Sequence, residues 1–557
     1  MTTIQENFAG TERPTERPAL LSRERTVAQA GFNRWLVPPA ALAIHLCIGM
    51  AYGFSVFWLP LSRAIGVTKP VVCEQMPLLT ALFTTSCDWR IADLGWIYTL
   101  FFVLLGSSAA IWGGWLETAG PRKAGVVAAL CWCGGMSLSA VGVMTHQLWL
   151  MWLGSGVIGG IGLGLGYISP VSTLIKWFPD RRGLATGMAV MGFGGGAMIG
   201  APLADRLMGI FADETGVGVW QSFLVMAAIY FVFMMAGAFG YRVPPAGWKP
   251  DGWAPKAVAP GKAAMITTRH VHLRDAHKTR QFWLIWIALC LNISAGIGVI
   301  GMASPMLQEI FGGRLIGLPE LSFTQLDAKQ TAAIAAIAAG FAGLLSLFNI
   351  GGRLVWASAS DRIGRKRTFF IFFALGIVLY ALVPSAAHLG SQALFVAMLC
   401  IAISIYGGGF STLPAYLADV FGTQFVGAIH GRLLTAWAVA GTVGPVVVNY
   451  IREAQIAAGI PRAYAYDYTM YILAGFLALG MLCNALVRPL DDKWFMSSAE
   501  LASLQAKGAQ TRAVETGSFG IDRGRFDLPT LLAWLVVGVP LLWGVWMTIE
   551  KTTALFN

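Results

Sequence analysis

Residues 113–123, GGWLETAGPRK, and residues 357–367, ASASDRIGRKR, decide the fold of this chain. Each joins two long apolar runs. Each holds a small residue (Gly113, Ala357), an acid (Glu117, Asp361), a glycine (Gly120, Gly364) and a basic pair (Arg122–Lys123, Lys366–Arg367), and the two copies stand 244 positions apart. The same offset links Gly183 and Gly187 to Gly427 and Gly431, and Gly200 to Gly444, with Pro202 and Pro445 close behind. Three landmarks at one spacing mean an internal duplication of about half the chain.

Around these junctions the sequence is too apolar for water. Of its 557 residues 56% are hydrophobic and 12% charged, with a mean hydropathy of +0.65; soluble domains carry roughly 25% charged residues. Apolar runs long enough to cross a bilayer as helices lie near 35–61, 94–115, 124–144, 148–174, 184–208 and 220–241. Six more lie near 282–306, 331–356, 368–387, 391–417, 428–451 and 466–488, and a thirteenth near 528–548. The reading is an all-α membrane protein of two six-helix repeats plus an extra C-terminal helix.

Charge placement orients it. With the N-terminus cytoplasmic, 29 of the 39 Lys and Arg fall in cytoplasmic segments and one, Arg353, inside a helix. That is the positive-inside pattern, so the net charge of +11 reflects topology and not a nucleic-acid footprint. The expected organisation is a cytoplasmic tail (1–34), a first bundle (35–241), a Pro- and Lys-rich linker (242–281), a second bundle (282–488), a polar cytoplasmic segment (489–527) and a last helix with a short outer tail (528–557). The first apolar run is too long for a cleaved signal. Cys73 and Cys87 share one loop. They form a disulfide if that loop is extracytoplasmic, and two free thiols are the alternative.

The 357–367 motif closely resembles the loop signature of the major facilitator superfamily, and the resemblance spans 35–488. WFPDRRGLATG with its glycine-rich following helix, and Asn349 through Gly352–Arg353 into the 357–367 loop, are similar to the oxalate/formate antiporter family. The resemblance implies a major facilitator fold, alternating access, a small organic anion as substrate, and a bacterial inner membrane. Mono- and dicarboxylates such as formate, lactate and oxalate are the expected class, moved by antiport or with protons. The loop residues Glu117, Arg122, Asp361, Arg362 and Arg365 are the expected conformational gate, the acid capping a neighbouring helix or pairing with Arg.

Arg353 is the sharpest candidate. It lies eight residues before Asp361, about 12 Å deeper along a helix. An Arg there costs about 2.5–3.5 kcal/mol on insertion scales, so it must face a partner or a cavity. A guanidinium binds a carboxylate through two parallel hydrogen bonds, and similar transporters use an Arg in this helix that way; a snorkelling Arg is the alternative. The family's dianion transporters also carry a Lys in helix 11, where this chain has Trp437. One fixed cation matches a monocarboxylate, unless a proton supplies the second charge. His45, mid-helix 1, is either that proton site or a neutral buried histidine. Tyr52, Tyr167 and Tyr406 join Trp437 as aromatic candidates for a cavity wall, with ordinary packing as the alternative; Asn292 and Asn349 are buried polar candidates.

GFGGG at 192–196 follows no strand and lacks the Lys-Ser/Thr of a phosphate loop; it reads as close helix packing. His270, His272 and His277 read as a solvated basic loop and not a metal site. No nucleophile–base spacing stands out, no cofactor is implied, and an enzyme is not expected. The competing class is a membrane sensor on a transporter fold.

Overall fold

A computed structural model describes the chain except residues 1–18, 30, 68–70, 72–75, 179–181, 215, 246–247, 251–265, 268, 423, 504–526 and 556–557. The described residues are almost wholly helical, with two isolated β-bridges. Thirteen helices are long and apolar enough to span a bilayer: α1 Arg34–Leu61, α2 Ile91–Gly113, α3 Pro121–Met144, α4 Leu148–Leu174, α5 Gly187–Phe211, α6 Val219–Gly240, α7 Arg280–Ile316, α8 Ala328–Ile363, α9 Arg365–His388, α10 Gln392–Phe421, α11 Ala428–Ala457, α12 Arg462–Leu486 and α13 Leu528–Thr552. The α2 helix continues to Ala119. This is a multi-pass membrane protein, since lipid offers no partner for unpaired backbone groups.

The duplication is visible in the backbone. Gly120 (φ +82°) ends the second helix and Gly364 (φ +93°) ends α8. Each donates its N–H to the carbonyl four residues back, Leu116 at 2.9 Å and Ser360 at 3.0 Å. With ψ of 160° and 141° both occupy a region only glycine enters easily. The same offset relates His146 (φ +51°) to Gly390 (φ +67°). Gln147 N–H reaches Gly142 O at 2.7 Å, and Ser391 N–H reaches Ala386 O at 3.1 Å. A histidine therefore holds a left-handed turn that the second repeat gives to glycine. Its ring stacks on Trp89 at 3.9 Å and its Nε2 faces the Cys87 carbonyl at 2.9 Å, contacts that offset the strain.

Helices α1–α6 and α7–α12 form two bundles that meet along two seams, α2 against α11 and α5 against α8. The apolar core of α1 is wholly buried, whereas only 17% of that of α13 is. Over Gly49–Phe57, α1 tightens into a 3-10 helix, a run unusually long for that geometry. There its backbone presses on α5; a Cβ at Gly49 would lie 2.9 Å from the Gly196 Cα. The glycine run 192–196 thus packs helices, facing α1 at Gly192 and Gly196 and α8 at Gly194 and Gly195.

The extra helix α13 lies against α5, α8 and α1, across one seam. Lys551 pairs with Asp205 of α5 at 2.5 Å, and Thr530 and Trp534 bond to Asn33 and to the Trp35 carbonyl.

Between the bundles, Val243 bonds to Thr26 and Ala28, while Thr267 and Val271 bond to Asp419 and Phe421. The first end of the connection is thus tied to the N-terminal tail and the second to the end of α10. Cys87 is in a disulfide and six other cysteines are free; Cys73, its expected partner, lies outside the described residues.

Candidate functional site

The site begins with Arg353 of α8, 0% exposed. Its Nε donates to Asn349 Oδ1 at 2.9 Å, one turn earlier on the same helix. Its Nη1 crosses the α5–α8 seam to the Val190 carbonyl at 2.7 Å. Both acceptors are neutral; the Tyr52 hydroxyl also interacts with the guanidinium, and among the described residues Nη2 has no acceptor in hydrogen-bonding geometry. The guanidinium lies over the Phe410 ring, 5.3 Å from its centroid. Gly194 makes room: a Cβ there would come within 3.1 Å of the Arg353 Nε.

A cage of side chains from both bundles surrounds this cation. Trp437 of α11 packs on Phe410 (4.5 Å between centroids), Tyr167 (5.2 Å) and Phe193 (5.6 Å). Tyr52 of α1 and Tyr406 of α10 share a hydrogen bond of 2.6 Å between their hydroxyls, bridging the bundles. The His45 ring stacks on Tyr167 at 5.4 Å; its Nε2 faces the Tyr167 carbonyl at 3.1 Å, and its Nδ1 is in close contact with the Ala189 carbonyl. The charge on Arg353 acts on His45, Tyr52, Tyr167 and Tyr406 alike. Arg353, Trp437, Tyr52, Tyr167, Tyr406 and His45 thus come together in one place, although they come from five helices.

The cage has a polarity. Three buried donors have no acceptor: Arg353 Nη2, Asn349 Nδ2 and Trp437 Nε1. Unpaired buried donors are costly, and a cluster of them around an unneutralised cation is complementary to an anion. Beside the cage lies a cavity of about 10 Å³ lined by Tyr52, Ser346 and Asn349 among others, room for about one water.

Further along α1 the Trp58 Nε1 donates to the Gly301 carbonyl of α7 at 2.8 Å, a second hydrogen bond between the bundles. Beyond Trp58 a wider vestibule of about 330 Å³ opens between the bundles.

The loop residues fall differently. Among the described residues Asp361 caps no helix: α9 begins without a side-chain cap, and Asp361 instead pairs with Arg365 one turn on. Arg365 also contacts the Ser360 hydroxyl. Arg362 is exposed and Arg122 donates to the Leu20 carbonyl at 3.1 Å. No ion pair joins Arg122, Asp361, Arg362 or Arg365 to the opposite bundle among the described residues; the Glu117 side chain lies outside them. His270, His272 and His277 do not converge on a metal site, nor does any other group among the described residues.

Sequence reading missed a second buried charge network. Ending the seventh span near 306 and the eleventh near 451 left Glu309 and Arg452 outside the helices. The helices run on to Phe311 and Ala457 and bury both side chains. Glu309 accepts from Arg452 Nε at 2.8 Å, from Arg462 at 2.8 Å and from the Tyr466 hydroxyl at 2.7 Å. The signal available was a lone acid and a lone arginine just past two apolar runs.

The profile of the Major Facilitator Superfamily matches residues 75–445. The chain belongs to this family. A major facilitator transporter named as an oxalate:formate antiporter, from Oxalobacter formigenes, is 26% identical over 74% of this chain and 83% of its own length. A protein named apicoplast pyruvate carrier 1, from Toxoplasma gondii, is 26% identical over 61% of this chain and 66% of its own length. Among solved structures, a bacterial homolog of the human lysosomal transporter Spinster, inward-facing and unoccupied, superposes with a TM-score of 0.56 at 14% identity, covering 83% of this chain and 98% of that one. That likeness shows the shared fold.

Proposed function

We propose that this major facilitator protein moves a small organic anion, above all a monocarboxylate, across a bacterial inner membrane by alternating access, with Arg353 as the binding cation. The observation that carries the reading is, among the described residues, a fully buried guanidinium without a carboxylate partner, set among donors that lack acceptors. A buried charge left uncompensated is strongly destabilising; an incoming carboxylate supplies two acceptor oxygens and the missing charge at once. The similarity to proteins named for oxalate, formate and pyruvate supports the substrate class.

The charge count sets the preference. Trp437 stands where a second cation would make the cage divalent, and it is packed on all sides by aromatic rings. A monocarboxylate balances Arg353 alone. A dicarboxylate leaves one charge over, which a co-bound proton offsets. His45, in the same cage, is the proton-binding group of this scheme.

The two seams are the surfaces at which alternating access would open and close. Residues 35–241 rock against 282–488, the basic loops face the cytoplasm with the N-terminus, and the segment 242–281 spans the two bundles. Passage between the vestibule and Arg353 requires the Trp58–Gly301 and Tyr52–Tyr406 hydrogen bonds, both of which join the bundles, to part. The loop residues Glu117, Arg122, Asp361, Arg362 and Arg365 form the cytoplasmic gate, exchanging local partners for cross-bundle ones as that side shuts. A substrate held at Arg353 neutralises the charge that would otherwise be dragged unpaired through the occluded state.

The test is counterflow in proteoliposomes preloaded with formate, lactate, pyruvate or oxalate across a pH range. Strong monocarboxylate exchange, lost in Arg353→Ala, is the expected result. Normal uptake by that variant removes Arg353 from the site, and binding without flux makes the protein a sensor.

A further inference from the structure

The vestibule beyond Trp58 is lined from both bundles by arginines. Arg63 and Arg90 come from the first bundle and Arg452 and Arg462 from the second, with Asp88 and Glu453 as the acids in the wall. The positive charges are not equally neutralised. Arg90 is held by Asp93 at 2.7 Å. Arg452 lies on Glu309 and Glu453, and Arg462 on Glu309. Asp88 spends its carboxylate on backbone: it accepts from the N–H groups of Ile65 at 2.7 Å, Gly66 at 3.0 Å and Val71 at 2.8 Å. That leaves Arg63 with no ion pair among the described residues. Burial, and then the charge of the Arg462 guanidinium, press its pKa below the usual arginine value, and the Asp88 charge only partly offsets them.

Two guanidinium groups that repel one another across a cleft, one from each bundle, are relieved by an anion placed between them. We propose that the vestibule is a second anion site, in which a small carboxylate bridges Arg63 of the first bundle and Arg462 of the second before it passes Trp58 to Arg353. The site's volume of about 330 Å³ admits such a molecule with its hydration. It concentrates the anion at the entrance, and it draws the two bundles together at this end because its two cations belong to different bundles. Its role as a capture site rests on the transport reading given above; its binding of a carboxylate does not.

A thiol placed in the wall separates these claims. Ser62 lines the vestibule, and Ser62→Cys is labelled by a maleimide in the purified full-length protein. Millimolar formate, pyruvate or oxalate slows labelling several-fold, while chloride at equal ionic strength does not. Protection persists when Arg353→Gln is added, because the vestibule binds without the central cation, and it disappears when Arg63→Gln is added. Arg63→Lys, which keeps the charge but loses the planar fork, restores part of it. Flux then shows the consequence: Arg63→Gln raises KM from the vestibule side about tenfold and leaves kcat unchanged. Absence of protection in Ser62→Cys, equal protection by chloride, or protection that survives Arg63→Gln each overturns the site. Protection in a protein that moves no carboxylate keeps the site and sinks the transport reading instead.

Discussion

Arg353 and Arg452 are both buried arginines on transmembrane helices, 0% and 2% exposed, yet their surroundings are opposite. Arg452 is saturated: Glu309, Glu453 and the Tyr466 hydroxyl take its donors, and Arg462 shares Glu309. Among the described residues Arg353 has neutral partners alone, an amide oxygen, a backbone carbonyl and the Tyr52 hydroxyl, and one of its nitrogens lacks an acceptor in hydrogen-bonding geometry. A cation with its counter-ions in place stabilises the bundle end it sits in. A cation without them is the one that the proposed transport reading pairs with a substrate anion. Burial alone does not separate structural from functional charge; the partner list does.

The largest effect expected from this contrast is on stability. Glu309→Gln leaves Arg452 and Arg462 without their shared carboxylate and costs about 3–5 kcal/mol, read as a large fall in Tm in detergent. Exchanging Glu309 and Arg452 together for leucines recovers much of that loss. An unchanged Tm in Glu309→Gln would falsify the structural assignment of this network.

Arg353→Ala is expected to do the reverse. Counterflow drops at least 100-fold, about 2.7 kcal/mol, while the Tm holds or rises because an uncompensated buried charge is removed. If the Tm falls with the flux, Arg353 belongs with Arg452 as a structural residue and the comparison collapses.

A smaller effect sharpens it. Trp437→Lys adds a second cation to the cage, and the oxalate-to-formate flux ratio should rise about tenfold. A ratio that stays put means that the charge count at Arg353 does not set selectivity.

The smallest concerns pH. Burial holds the His146 pKa below its usual value, with the bond to the Cys87 carbonyl opposing. A histidine depressed in the folded state favours unfolding once the unfolded chain takes up its proton. His146 thus contributes stability above about pH 6.5 that is lost as pH falls below it. His146→Gln should flatten the acid side of the Tm profile; an unchanged slope there assigns the acid loss to other groups.

Much of the fold was legible because lipid imposes it. Runs of apolar residues must become helices, and basic loops must stay on one side. The residues of the cage were individually legible as polar or aromatic exceptions inside such runs, and Arg353 most of all. Their convergence was not, because Tyr52, Tyr167, Arg353, Tyr406 and Trp437 sit on five helices whose order in space hydropathy does not encode. Glu309 and Arg452 escaped for a different reason. Hydropathy marks where the apolar run ends, whereas these helices continue past it once their charges neutralise one another.

The sequence by itself determined thirteen spanning helices, a duplication at an offset of 244 and the arginine deep within the eighth span. Those follow from local composition and from the backbone's need for hydrogen bonds. Only the tertiary structure decided that α13 lies across the α5–α8 seam, that Asp361 spends its charge inside its own loop, and that Arg452 is neutralised while Arg353 is not. Each of these depends on which distant side chains share a space, and a helix's neighbours in lipid are fixed by packing between surfaces that composition alone leaves nearly equivalent.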